Sequence, residues 1–168
     1  GSPKAVPISH KGLLNTVFDH IRELRLTKQD SYLQFMSLAF DGFLLDIFTG
    51  LLSDASLVIL SDEYLLDINK LYSSIKKLKI TIATFTPSFI SILNEEILSS
   101  FKTIISAAEE FSLKHAASCM DQLNLYNGYG LSECSVNSTL YKLERLQHKS
   151  IVPVGKPRMN KEVYVVDH

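Results

Sequence analysis

The apolar residues of this chain follow two alternating patterns. In some segments they recur every three or four residues, which predicts the buried side of a helix, and in others they form short continuous runs, which predict strands. The predicted helices cover 9–24, where Ser9 is the expected N-cap, 42–52, 67–78, a segment beginning at Pro87, and 112–120. The predicted strands cover 32–36, 57–60, 80–84, 103–106, 123–126, 136–143 and 163–166. The second of these runs is expected to be buried on both faces.

The order of these elements predicts the fold class. Strands that alternate with helices of about ten to fifteen residues are typical of βαβ units, which build a mostly parallel, doubly wound α/β sheet with helices on both faces. After about residue 136 the predicted strands follow one another without a helix, so a short antiparallel β piece is expected at the C-terminal end. Ligands of such sheets bind beyond the carboxyl ends of the strands. The candidate ligand residues are therefore those that follow the strands, at 40–42, 84–85, 107–110 and 127–133.

Composition narrows the class of protein. Of the 168 residues, 46% are hydrophobic and 21% are charged, and 17 basic against 18 acidic residues leave a formal net charge of −1. This balance offers no basic surface for nucleic acid. The apolar stretch 35–52 is interrupted by Asp41 and Asp46, so no membrane span is expected. Cys119 and Cys134 are too few for a disulfide framework or a zinc site, which favours the reducing cytoplasm. The length of 168 residues fits a single domain.

The segment 127–133, Asn-Gly-Tyr-Gly-Leu-Ser-Glu, carries the residues best suited to chemistry. Its two glycines allow the backbone to approach a ligand closely, and Tyr129 between them offers a flat ring that can stack on a base. Ser132 can donate to a phosphate oxygen, and the Glu133 carboxylate suits a hard cation such as Mg²⁺. The competing interpretation is an ordinary tight turn at Asn-Gly with Ser132 as a helix cap, and the spacing alone favours that interpretation.

As a motif, 127–133 resembles the Asn-x-Tyr-Gly-Pro-Thr-Glu sequence of the adenylate-forming enzymes, in particular the adenylation domains of nonribosomal peptide synthetases. Further segments match that family in the same order. Residues 40–43 resemble its Phe-Asp-x-Ser motif, and 108–112 resemble its Gly-Glu-Ala-Leu-Ser segment. Residues 155–167 resemble its Gly-x-Pro…Asn…Tyr-Val-Val-Asp stretch, and 1–6 resemble the end of its Gly-x-Pro-Lys-Gly-Val phosphate loop. These segments occur in the family's order from one end of the chain to the other, so the resemblance covers essentially the whole chain.

The resemblance implies one flavodoxin-like subdomain, residues 1–168, of a larger adenylation domain. Residues up to about 10 would end the phosphate-loop region, and residues from about 136 would begin a β-rich segment. ATP and Mg²⁺ would convert an amino acid into an aminoacyl-adenylate with release of pyrophosphate. The aminoacyl group would then pass to the phosphopantetheine thiol of a carrier domain. The C-terminal lobe of the adenylation domain would be a further partner.

The same resemblance implies roles for individual residues. Tyr129 would stack on the adenine, and the backbone around Ala108 and Glu109 would border it. Ser132 and Glu133 would be the catalytic residues, because the hydroxyl would donate to the α-phosphate and the carboxylate would hold the Mg²⁺. A leucine precedes Ser132 where the family has proline. Ser132 itself replaces a threonine, which keeps the hydroxyl but loses the methyl group that helps to fix its rotamer.

Asp41 by itself predicts the N-cap of the helix 42–52. The resemblance instead implies that its carboxylate pairs with the α-ammonium group of an amino-acid substrate, because a cation in a partly dry pocket requires such a partner. The residues that match the rest of the family's substrate pocket are Gly42, Leu45, Thr84, Ile105, Ala107, Gly128, Val136 and Asn137. They imply a medium or large, mostly apolar α-amino acid, with the Asn137 amide available to a polar group.

Two alternatives stay open at the level of sequence. In one, the chain belongs to an acyl- or aryl-acid CoA ligase of the same superfamily, and Asp41 is only a helix cap. In the other, it is a non-catalytic α/β binding module. The sequence contains no match to the start of the family's phosphate loop, to its ribose-binding aspartate or to its C-terminal lobe. The isolated chain is therefore expected to be inactive, or nearly so, in adenylation.

Overall fold

The computed structural model describes residues 4–111, 123–144 and 152–167 and forms a seven-stranded sheet with helices packed on it. The helices are α1 (His10–Leu24), α2 (Gly42–Leu52), α3 (Asp62–Leu66), α4 (Ile68–Leu78), α5 (Pro87–Ile90) and α6 (Glu95–Leu98). The strands are β1 (Ser31–Gln34), β2 (Ser56–Ile59), β3 (Ile82–Phe85), β4 (Thr103–Ala107), β5 (Asn124–Tyr129), β6 (Thr139–Lys142) and β7 (Lys156–Pro157). A turn of 3₁₀ helix covers Ser132–Cys134. Within these described ranges, no helix is long and apolar enough to cross a membrane.

Neighbouring strands follow the order β2-β1-β3-β4-β5-β6-β7. The strands from β2 to β5 pair in parallel, whereas β6 pairs antiparallel with β5, and β7 pairs antiparallel with β6. The parallel part has the 2-1-3-4-5 order of the flavodoxin-like fold, in which the strand order reverses between β1 and β3. The predicted mostly parallel α/β sheet with an antiparallel piece at its C-terminal end is therefore confirmed.

Successive residues of the parallel strands point to opposite faces of the sheet, and each face builds its own core. The face covered by α4, α5 and α6 consists of Leu33, Ala83, Phe85, Ile104 and Leu125. The face that packs against the end of α1 consists of Tyr32, Ile82, Ile105 and Tyr126. Helices therefore cover both faces of the sheet, as predicted.

Side-chain caps begin several helices where the sequence predicts them. Ser9 Oγ accepts a hydrogen bond at 3.1 Å from the backbone N–H three residues further on. Asp67 Oδ1 accepts one at 2.9 Å from the N–H two residues further on. Thr86 caps α5, which places Pro87 in its first turn. The predicted helix 112–120 lies outside the described residues.

The prediction for the run 57–60 is wrong in its burial. The strand β2 pairs only with β1 among the described strands, so it forms an edge of the sheet, and Ile59 is 64% exposed. An apolar run predicts a strand, but it does not reveal whether helices and strands cover that strand on every side.

Three further differences concern the C-terminal part of the chain. Residues 163–166 form no strand with the described residues, and Val165 is 99% exposed. The predicted strand 136–143 is shortened to β6. In contrast, β5 continues to Tyr129 because β4 and β6 pair with it on either side. The pair Asn-Gly at 127–128 therefore lies inside a strand, and its interpretation as a tight turn is wrong.

The aromatic cluster on the α4–α6 face provides a test of this core. Phe85 is fully buried, and its ring centroid lies 4.7 Å from that of Phe35 and 5.6 Å from that of Phe101. Phe85→Ala is expected to lower the free energy of unfolding by about 3–5 kcal/mol, because it removes a buried ring and leaves a cavity. Urea unfolding followed by circular dichroism measures this change. Phe40→Ala removes a ring that is 62% exposed and should change the free energy by less than about 0.5 kcal/mol. Equal losses in both variants would contradict the assigned core.

Candidate active site

The carboxyl ends of the parallel strands open onto two neighbouring cavities. The small cavity has a volume of about 100 Å³ and lies among the ends of β3, β4 and β5, the start of α2 and the loop after β5. The large cavity has a volume of about 460 Å³ and is lined by residues 108–111 and 127–131 with Val152 and Val154. Ala108 and two glycines of β5 and its loop line both cavities, which therefore share a wall.

With one exception, the predicted substrate-pocket residues line the small cavity. They are Asp41, Gly42, Leu45, Thr84, Ala107, Gly128, Val136 and Asn137. The exception is Ile105, which is fully buried in the core and lies outside the lining. Its Cγ2 is 3.5 Å from the point where a Cβ on Gly128 would stand, so Ile105 supports the cavity from below. The structure brings these residues together, and their contact with a substrate stays a prediction.

Asp41 is half-buried at the start of α2 and lines the small cavity. Asp41 occupies the predicted N-cap position of α2, but its side chain forms no capping hydrogen bond and its backbone is helical (φ −63°, ψ −26°), where a capping residue is usually extended. Within residues 4–111, 123–144 and 152–167, the carboxylate has no hydrogen-bond or ion-pair partner. It is therefore available to a cation in the cavity.

A second carboxylate, that of Asp46, is fully buried beside the small cavity. Its Oδ2 accepts hydrogen bonds from the N–H groups of Phe35 at 3.1 Å and Met36 at 3.0 Å, just beyond the end of β1. Burial raises the pKa of the Asp46 carboxyl to about 7, although these hydrogen bonds oppose the rise. In the sequence, Asp46 stands out only as an interruption of an apolar stretch. A carboxylate on the buried side of an apolar helix was the signal that would have found it.

The Tyr32 hydroxyl links Asp46 to the neighbouring strand. It donates a long hydrogen bond of 3.4 Å to Asp46 Oδ1 and lies 2.9 Å from Thr84 Oγ1 on β3. It also lies 3.4 Å from Nε2 of His20, a fully buried residue of α1. Burial, with a smaller contribution from the charge of Arg158, lowers the pKa of His20 to about 3, so the imidazole is neutral. This buried network connects α1, α2, β1 and β3 directly below the cavity.

The loop that carries Val136 and Asn137 is held in an uncommon conformation. Ser135 and Val136 both have left-handed backbones, with φ 59° and φ 71°, and a β-branched residue adopts this region rarely. Lys161 Nζ donates to the carbonyl oxygens of Cys134 at 2.7 Å and Asn137 at 2.5 Å. Burial lowers the pKa of the Lys161 ammonium group. Lys161 thus fixes one wall of the small cavity, a role that no feature of the sequence indicated.

The large cavity is lined by the aromatic side chain of Tyr129 and by residues 108–111, which follow β4. Tyr129, at the end of β5, is 51% exposed there. The carboxylate of Glu109 accepts hydrogen bonds from Ser88 N at 3.0 Å and Ser88 Oγ at 2.9 Å, at the start of α5. The Glu109 side chain is therefore occupied by Ser88, and Glu109 lines the large cavity. Its role in bordering adenine stays a prediction. Asn127 Nδ2 donates a hydrogen bond to the carbonyl oxygen of Pro153 at 2.9 Å. This bond holds the segment whose residues Val152 and Val154 line the cavity.

Ser132 and Glu133 lie in the 3₁₀ turn that follows β5. Ser132 lines the small cavity, and Glu133 is exposed and forms an ion pair with Lys4, which lowers the pKa of the Glu133 carboxyl. In the described ranges no three His, Cys, Asp or Glu residues are grouped as metal ligands. A single carboxylate nevertheless fits Mg²⁺ that is bound together with a nucleotide, because phosphate and water supply its remaining oxygens.

Comparison with known proteins identifies the family. The sequence profile of the AMP-binding enzymes matches residues 1–168, and the chain belongs to this family. It is 33% identical to tyrocidine synthase 2 of Brevibacillus parabrevis over 169 residues, which are 99% of this chain and 5% of that protein. It is also 33% identical to surfactin synthase subunit 1 of Bacillus subtilis over 174 residues, again 99% of this chain and 5% of that protein. The family resemblance predicted from the motifs is confirmed, and the chain spans a small part of these relatives.

Solved structures confirm the fold. The nonribosomal peptide synthetase FmoA3 superposes with a TM-score of 0.86 at 20% identity, over 98% of this chain and 19% of that one. The N-terminal subdomain of Klebsiella oxytoca NpsA, in complex with 3-hydroxybenzoyl-AMSN, superposes with a TM-score of 0.81 at 24% identity, over 95% of this chain and 42% of that one. At such identities the agreement establishes the shared α/β architecture.

Ala108, in the wall shared by the two cavities, yields a prediction about strain. It has a left-handed backbone (φ 75°) and stands where the family motif has glycine. Ala108→Gly is expected to raise the free energy of unfolding by about 0.5–1 kcal/mol, because glycine adopts this region without the steric cost of a Cβ. Urea unfolding measures the change. Ala107→Gly, one residue earlier on β4, should lower the free energy instead. A loss of stability in Ala108→Gly would contradict the interpretation that the Ala108 backbone is strained.

Proposed function

We propose that the chain is part of an adenylation domain that activates an α-amino acid with ATP in a nonribosomal peptide synthetase. The observation that carries the proposal is Asp41, a half-buried carboxylate without a partner among the described residues, which lines a small cavity next to a larger one. An α-ammonium group would supply the missing countercharge. Family membership supports the formation of an adenylate, and Asp41 supports an α-amino acid as the carboxylic acid that is activated.

In the proposed complex the amino acid lies in the small cavity and the adenosine of ATP lies in the large one. Tyr129 stacks on the adenine, and the backbone of Ala108 and Glu109 borders it. The wall shared by the cavities includes Ala108, so the two ligands meet across a short distance. Holding the substrate carboxylate against the α-phosphate replaces an encounter in solution and is a major source of rate acceleration.

The proposed reaction is a displacement at phosphorus. An oxygen of the substrate carboxylate bonds to the α-phosphorus, the bond from that phosphorus to the pyrophosphate oxygen breaks, and pyrophosphate leaves. The Ser132 hydroxyl donates to an oxygen of the α-phosphate, where charge builds up. Glu133 would hold Mg²⁺, which neutralises phosphate charge when bound. Lys4, paired with Glu133, keeps that carboxylate ionised.

The subsequent transfer defines the proposed partners. The aminoacyl group would pass from the adenylate to the phosphopantetheine thiol of a carrier domain. The C-terminal lobe of the adenylation domain would complete the site. The membership of the family supports these partners, and the use of ATP favours a cytoplasmic location.

Asp41→Ala in the intact protein tests the class of substrate. Amino-acid-dependent exchange of pyrophosphate into ATP is expected to lose at least about 30-fold in kcat/KM for the amino acid, because the substrate ammonium group loses its buried countercharge. The KM for ATP should change little. Asp54→Ala, which removes an exposed carboxylate just beyond α2, is the matched control and should leave both values unchanged.

Other outcomes would contradict the proposal in distinguishable ways. Exchange driven by acyl or aryl acids and unaffected by Asp41→Ala would show a ligase that does not use an α-ammonium group. The absence of exchange with any carboxylic acid in the intact protein would favour a non-catalytic binding module.

A further inference from the structure

Met36 lies between the end of β1 and α2 and occupies space beside the small cavity. It is 7% exposed and belongs to the cavity lining. Its Cγ and Cε each lie 3.2 Å from the point where a Cβ on Gly42 would stand. The thioether side chain therefore fills the volume that the glycine at the start of α2 leaves free. Met36 and Asp41, the proposed partner of the substrate ammonium group, line the same cavity.

The backbone of Met36 is held on both sides by buried polar groups. Its N–H donates to Asp46 Oδ2 at 3.0 Å, and its carbonyl accepts a hydrogen bond from Gln34 Nε2 at 2.5 Å. Asp46 is fully buried, and Gln34 is 8% exposed. Because the buried Asp46 carboxylate would carry a large desolvation cost if it lost the Met36 N–H, the backbone at residue 36 is not free to move away from the cavity.

The size of the cavity limits what it accepts. With Met36 in place its volume is about 100 Å³, which is smaller than an engineered apolar cavity of about 150 Å³ that binds benzene. The aliphatic part of the lining, with Leu45 and Val136, suits a branched hydrocarbon group. The volume thus favours an aliphatic substrate side chain over an aromatic one.

We propose that Met36 is a specificity-determining residue whose thioether closes the small cavity over Gly42 and restricts the enzyme to aliphatic α-amino acids. This inference rests on the proposed function and narrows its expected substrate from medium or large apolar amino acids to aliphatic ones of about the size of valine or leucine. Met36 acts by occupying space, so its removal should enlarge the accepted side chain without affecting the pairing of Asp41 with the ammonium group.

Pyrophosphate exchange by the intact protein with valine, leucine and phenylalanine tests the inference. The wild-type protein should prefer an aliphatic substrate. Met36→Ala should raise the ratio of kcat/KM for phenylalanine to that for leucine by about 10-fold or more, since each methylene-sized change in a pocket alters discrimination by about 10- to 200-fold. Met36→Leu, which has a similar volume, should leave the ratio within about threefold. Met159→Ala, a truncation outside the cavity lining, controls for the loss of a methionine elsewhere.

Each outcome decides the matter. A wild-type preference for phenylalanine, or an unchanged ratio in Met36→Ala, would overturn the role of Met36 while amino-acid exchange still supports the proposed function. Wild-type protein that exchanges with no amino acid would overturn both. If Met36→Ala does not fold, as shown by circular dichroism, Met36→Val provides the smaller truncation. Its ratio should shift in the same direction, and an unchanged ratio would overturn the proposal.

Discussion

The buried carboxylate of Asp46 is the group on which the geometry of the site depends. It lies on α2, it holds the backbone that leaves β1 through the N–H groups of Phe35 and Met36, and it accepts a hydrogen bond from Tyr32. Tyr32 in turn contacts Thr84 on β3. Burial of this carboxylate is costly, as its raised pKa shows, and the cost is tolerated because fixed donors surround it.

The position of this network follows from the topology. In a 2-1-3-4-5 sheet the strand order reverses between β1 and β3, and the chain leaves these strands in opposite directions, which opens a crevice at their carboxyl ends. Tyr32 on β1 and Thr84 on β3 span this reversal, and the small cavity lies above them. On the far side, Lys161 holds the left-handed loop with Val136. Polar anchors on both sides therefore define a cavity whose lining combines polar side chains with aliphatic ones such as Leu45 and Val136.

The sequence predicted the parallel sheet, the cap at Ser9 and most of the cavity lining, because these depend on local periodicity and on short motifs. Other features depend on contacts between distant segments. The run 57–60 is as apolar as a central strand, yet it forms an edge, because burial depends on what covers it. The pair 127–128 favours a turn locally, but pairing with β4 and β6 overrides that preference. Lys161 reaches carbonyl groups more than twenty residues away, so no spacing rule indicates it.

In the proposed complex, Asp41 binds the ammonium group of an amino acid whose side chain enters the small cavity. A crystal structure of the intact protein with a nonhydrolysable leucyl-adenylate analogue would test this arrangement. We expect the α-ammonium nitrogen within about 3 Å of an Asp41 carboxylate oxygen, the leucine side chain against Met36 and Val136, and the adenine beside Tyr129. An ammonium group directed away from Asp41, or a leucine side chain outside the small cavity, would contradict it.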